Sequence, residues 1–128
     1  MRSLVAVVLG VVIAGIVFLI GAVISDLNRC SIAQGSQCDA PTTVDFIAYL
    51  GAAAAGSFCG TALAVRIAQR SPGWHAGAVT LILAGISILG YGTGETDWPS
   101  WFGFAMAAAW AVGALAGALA PGAAAPAA

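Results

Sequence analysis

Two cysteines with seven residues between them, Cys30 and Cys38, sit in the only polar segment of appreciable length, amid Ser, Gln, Asn and Gly. In an oxidising compartment such a pair closes a disulfide, and so short a loop restricts the unfolded chain by about 2–3 kcal/mol. We expect that bond, with free thiols as the alternative. A metal or redox pair fits less well, because C-x2-C spacing is missing and the single histidine, His75, lies beyond a long apolar stretch. The third cysteine, Cys59, stands among Gly, Ser and Ala, where a thiol acts as a small apolar residue of low reactivity.

Asp45 is the next candidate. Thr42 and Asp45 have the spacing of a capping box, in which the threonine oxygen accepts a first-turn N–H and the carboxylate lies at the positive end of the helix dipole. The same carboxylate at a membrane edge would suit the mouth of an ion pathway, but capping accounts for it without one. Arg29 is a salt-bridge partner for Asp26 or Asp45, and exposed pairs of this kind contribute little. Glu95 and Asp97 form the densest acidic pair, which a solvated turn explains. A glycosidase-like or metal role for them would need a cleft-forming soluble domain that the chain lacks. His75 has no second histidine or nearby carboxylate in sequence and reads as an interfacial residue. No catalytic residue, metal site or cofactor is expected, and no enzyme.

Hydropathy sets the elements that must hold these residues. Charged residues make up 7% of the 128 and hydrophobic ones 61%, at a mean hydropathy of +1.00, far outside the range of soluble domains. The charges fall in the gaps between apolar stretches at about 4–24, 44–68, 75–91 and 101–119. The first stretch has no ionisable residue and measures about 31 Å as a helix, matching a hydrocarbon core of about 30 Å. We expect one domain over 1–120, an all-α integral membrane bundle of four antiparallel transmembrane helices. A disordered Pro/Ala tail should follow at 121–128.

Orientation follows from the arginines. Arg2 precedes the first stretch, and Arg66 and Arg70 lie where the second gives way to the third, whereas the other two connections hold Arg29 and all the acidic residues outside the second stretch. The positive-inside bias puts both termini in the cytoplasm and aims Arg2, Arg66 and Arg70 at anionic headgroups. Trp98, Trp101, Tyr91 and Tyr49 fit an outer aromatic belt and Trp74 an inner one. The first stretch is longer than a signal-peptide core and no A-x-A-like cleavage site follows it, so it reads as a retained helix. Asn28-Arg29 before Cys30 argues against an acylated cysteine, and four basic residues cannot assemble a nucleic-acid surface.

Small residues recur every four positions: Ala6, Gly10 and Ala14; Ala52, Gly56, Gly60 and Ala64; Ala105, Ala109, Gly113 and Gly117. That spacing lets helix backbones approach closely where no hydrophobic effect drives association. Gly10, Gly56, Gly60, Gly113 and Gly117 are therefore the expected helix-packing residues, with one stripe available for a homo-oligomer or a larger membrane complex.

The run from Gly56-Ser57-Phe58-Cys59-Gly60 through Arg66-Ile67-Ala68, then Trp98-Pro99-Ser100-Trp101-Phe102, then Gly113-Ala114-Leu115-Ala116-Gly117-Ala118-Leu119-Ala120 resembles a group of uncharacterised small bacterial four-helix integral membrane proteins. The resemblance implies a multi-pass protein of the inner membrane and carries no activity, cofactor or catalytic residue with it. Small multidrug exporters share the size but need a carboxylate in the middle of the first helix, and Leu4–Ile24 has none. The resulting expectation is a non-enzymatic helix-packing or interaction protein. The alternative is a subunit of an oligomeric transporter or channel, which would need polar groups facing the bundle interior, where Ser57, Thr61, Thr80 and Ser87 are the deepest available.

Overall fold

The computed structural model describes residues 2–31, 37–68, 72–92 and 97–120. Four helices, α1 (Arg2–Arg29), α2 (Thr43–Ala68), α3 (Pro72–Gly92) and α4 (Phe102–Leu119), make up nearly all of it. All four are long and apolar enough to cross a bilayer. Between α1 and α2, β1 (Cys30–Ser31) pairs with β2 (Gln37–Cys38). Arg70, Glu95 and the tail at 121–128 lie outside the described residues.

Local chemistry accounts for the helix ends. α1 continues five residues beyond Ile24, because Asp26 and Arg29 pair one turn apart at 3.3 Å and give the polar extension its own support. α3 starts on Pro72, whose missing N–H and fixed φ suit the first helical position. α4 starts at Phe102, one residue later than hydropathy suggests. Its entry is a turn in which the Phe102 N–H donates to the Pro99 carbonyl at 2.9 Å, and Trp101 at the N-cap offers no side-chain bond.

The helices pack in the spatial order α1, α2, α4, α3, while α1 and α3 touch only lightly. Along α1 the facing positions on α2 descend: Gly10 meets Gly60, Ala14 meets Gly56, Gly21 meets Ala52 and Ser25 meets Asp45. Between α2 and α4 they ascend together, Gly113 lying on Ala54 and Gly117 on Phe58. These are backbone-to-backbone contacts. A Cβ at Gly56 would lie 2.6 Å from the Ala14 carbonyl oxygen, and one at Gly10 would lie 2.8 Å from that of Gly60. At Gly60, Gly113 and Gly117 an added Cβ would also overlap the facing backbone. Only glycine permits this approach, and in lipid it is dispersion over such close surfaces that holds helices together.

The interior is aromatic where α1 leads into α2, with Tyr49, Trp98 and Phe102 buried beside Met106 and Trp110. Toward the other end it is built from small residues, Ala76, Ala114 and Ala118 among them. The outward faces carry Leu4, Val8, Ile16, Ile20, Leu81, Val112 and Leu119, all more than half exposed apart from Ile16 at 47%. Bulky apolar side chains so widely exposed on the outward faces suit a hydrocarbon solvent.

Candidate functional site

The residues with chemistry converge at the end of the bundle where α1 leads into α2. Asp45, in the first turn of α2, is 8% exposed and accepts three hydrogen bonds: from the Thr42 N–H at 2.8 Å, the Thr42 hydroxyl at 2.7 Å and the Ser25 hydroxyl at 3.2 Å. The carboxylate half of the capping box is therefore present. The other half differs from the sequence expectation, because the Thr42 hydroxyl donates to the carboxylate instead of accepting a first-turn N–H. A charged acceptor 2.7 Å away is the stronger partner. The Ser25 bond makes Asp45 a tie between two helices as well as a cap.

Arg29 pairs with Asp26, and not by direct contact with Asp45. Its side chain is 11% exposed, donates to the Asp26 carboxylate at 3.3 Å and to the Asp39 carbonyl at 3.1 Å, and lies 5.3 Å from the centre of the Trp98 ring. This is more than an exposed pair: a guanidinium largely withdrawn from water over an indole face adds a cation–π attraction. Trp98 in turn stacks on Phe102 with centroids 4.5 Å apart and packs on Tyr49 at 4.7 Å and Phe46 at 5.4 Å. Trp98 and Tyr49 are thus buried inside the bundle, 9% and 5% exposed, and do not form the outer belt expected from sequence. Hydropathy cannot separate an aromatic that faces lipid from one that closes the end of a bundle. Trp101 and Trp74 are exposed, at 54% and 70%.

The ladder below Arg29 sets the cysteine geometry. The Asp39 N–H donates to the Arg29 carbonyl at 3.4 Å, and Cys30 is registered against Cys38. Residues 29 and 39 occupy a hydrogen-bonded position, so the cysteines fall at the next, non-hydrogen-bonded one. The side chain of Cys38 is outside the described residues.

Two polar pairs within the bundle escaped the sequence reading. The Trp110 indole N–H donates to the Ser87 hydroxyl at 2.8 Å, both residues being buried. His75 and Ser3 are hydrogen-bonded at 2.8 Å between Nε2 and Oγ, and His75 is 1% exposed. The interfacial, partnerless reading of His75 is corrected: α3 begins three residues earlier, so His75 points inward from its first turn and meets the start of α1. A lone tryptophan in the Ala/Gly run of α4 was the available signal for the first pair, since a buried indole N–H needs an acceptor. Nothing local marks Ser3 as a partner.

Among the other expected residues, Arg2 and Arg66 are exposed near the bundle end that holds the Ser3–His75 bond, and Asp97 is exposed beside Trp98. Ser57 is fully buried and donates to the Ala54 carbonyl at 3.2 Å; Thr61 is fully buried, and its hydroxyl makes no hydrogen bond among the described residues. No cluster of three or more His, Cys, Asp or Glu with metal-binding geometry occurs among the described residues. No protein-family model, curated protein or solved structure matches the chain.

Proposed function

We propose that this chain is a non-enzymatic packing and interaction protein of a bacterial inner membrane. Its four helices cross in an antiparallel bundle, both termini are cytoplasmic, and Cys30 and Cys38 are joined on the exported side. Partners are the lipid bilayer itself and either a second copy or a larger membrane complex. The observation that carries this reading is the state of Asp45, a buried carboxylate in the first turn of the second candidate membrane span. Thr42 and Ser25 already occupy it, in a tie between α1 and α2, whereas a carboxylate that passes ions must exchange partners. The close glycine contacts of α1 with α2 and of α2 with α4 add a second support, since they leave no gap between those helix pairs.

The test is flux. The full chain reconstituted in liposomes should pass no protons, alkali cations or small cationic dyes above protein-free vesicles. Asp45→Asn should lower thermal stability in detergent without changing that baseline. Measurable flux that Asp45→Asn abolishes, with the bundle still folded, would replace this reading with an oligomeric transporter or channel.

A further inference from the structure

We propose that the cleft between α1 and α3 binds one hydrocarbon chain of a membrane lipid; the inference rests on the helices spanning a bilayer. The two helices are held together at one end by the Ser3–His75 hydrogen bond and by Val79 against Gly10. Beyond those contacts they part, leaving a cavity of about 430 Å³ with Gly15 and Phe18 of α1 on one wall, Leu83 and Tyr91 of α3 on the other, and Ser87 and Trp110 among its lining. It is continuous with the lipid-facing surface, because Leu19 and Ile86, which also line it, are 59% and 62% exposed.

Size selects the occupant. The α1 wall from Val11 to Leu19 is about 12 Å long, so 430 Å³ gives a mean cross-section of roughly 36 Å². A helix with side chains is about 10–12 Å across, or roughly 80–110 Å². A helix from a second copy or a partner protein is therefore too thick to fill the cleft, whereas an extended methylene chain fits between walls that it touches on both sides. Polarity agrees. The Trp110 N–H and the Ser87 hydroxyl oxygen engage each other, so the indole makes no demand on a ligand. Water in so apolar a cavity would lack the two to four polar partners it needs. Part of the hollow comes from side chains that are absent: a Cβ at Gly15 or Gly90 would meet nothing within 4 Å.

Photocrosslinking tests the site. The full chain is reconstituted in phosphatidylcholine vesicles containing a trace of phosphatidylcholine with a diazirine midway along one acyl chain, irradiated, digested and mapped by mass spectrometry. Adducts should concentrate on Phe18, Leu83 and Trp110 over the exposed belt residues Ile47 and Val112. A Gly15→Leu, Gly90→Leu variant fills the cleft without entering a helix contact, and it should lose the cleft adducts while keeping belt adducts and thermal stability. Equal yields at cleft and belt, or cleft adducts that survive the filling, would reduce the site to ordinary boundary lipid and overturn the proposal. So would a wild-type cleft without adducts beside a labelled belt, which would mean that another protein surface covers it. Loss of belt and cleft adducts together would instead refute the bilayer-spanning reading.

Discussion

The Ser25 hydroxyl, one turn before the end of α1, donates to the Asp45 carboxylate in the first turn of α2 across 3.2 Å. The two lie twenty positions apart in the chain, with the cysteine loop between them, and this bond brings both ends of that segment to one point. Thr42 supplies the other two donors to the same carboxylate. Thr42→Ala removes the hydroxyl bond to the carboxylate but keeps the backbone one, and should cost about 1.5–3 kcal/mol, the usual worth of a hydrogen bond to a charged group. Ser25→Ala should also lower the unfolding midpoint, and Asp45→Ala should lower it most, because it removes three bonds at once. Thermal unfolding of purified variants in detergent gives the order; a neutral Ser25→Ala would remove the interhelical role of Asp45.

Glycines of similar sequence context should split into two classes. Gly60→Leu and Gly113→Leu place side chains where facing backbone stands and should lose about 1–3 kcal/mol or more, as overpacking does. Gly85→Ala, where a Cβ meets nothing, should be neutral or gain up to about 1 kcal/mol from helix propensity. Unfolding in mixed detergent micelles compares them directly. Equal losses at Gly60 and Gly85 would mean that the close contacts do not hold the bundle.

If Cys30 and Cys38 are joined, protein kept from reductant should react with a maleimide only at Cys59, which is free and exposed. Intact-mass spectrometry with and without reduction counts the thiols. The Cys30→Ser, Cys38→Ser variant should lose about 2–3 kcal/mol, on the loop-entropy account of disulfide stabilisation. Three reactive thiols before reduction would end the claim.

Orientation is open to cysteine accessibility in a background without native cysteines. A cysteine at Ser71, beside Arg66 and Arg70, should be shielded from an impermeant reagent in intact cells, and one at Thr96 should react, as the positive-inside bias requires. The reverse pattern would invert the bundle.

Trp110 and Ser87 offer a packing test independent of the ends. Ser87→Ala strands a buried indole N–H and should cost about 1–3 kcal/mol, whereas Ser87→Ala combined with Trp110→Phe should cost less than the sum of the two single changes. Additive losses, measured as a double-mutant cycle by thermal unfolding, would show that the bond contributes nothing.

Sequence by itself determined that there are four helices and roughly where they lie. Charge is so costly in hydrocarbon that Arg2, Asp26, Arg66 and Asp97 mark the edges of the spans without any knowledge of their neighbours. The carboxylate cap from Thr42 to Asp45 was legible for a related reason, since its partners are three residues apart. Tertiary structure decided everything that depends on how each helix is rotated. Gly73 and Gly77 have the same four-residue spacing as Gly56 and Gly60, yet the first pair faces open space and the second meets α1 backbone. His75 finds Ser3, Trp110 finds Ser87 and Arg29 lies over Trp98 through contacts between helices. Such pairings arise from many small dispersion and hydrogen-bond terms summed over whole helix faces, and no local pattern in the chain records that sum.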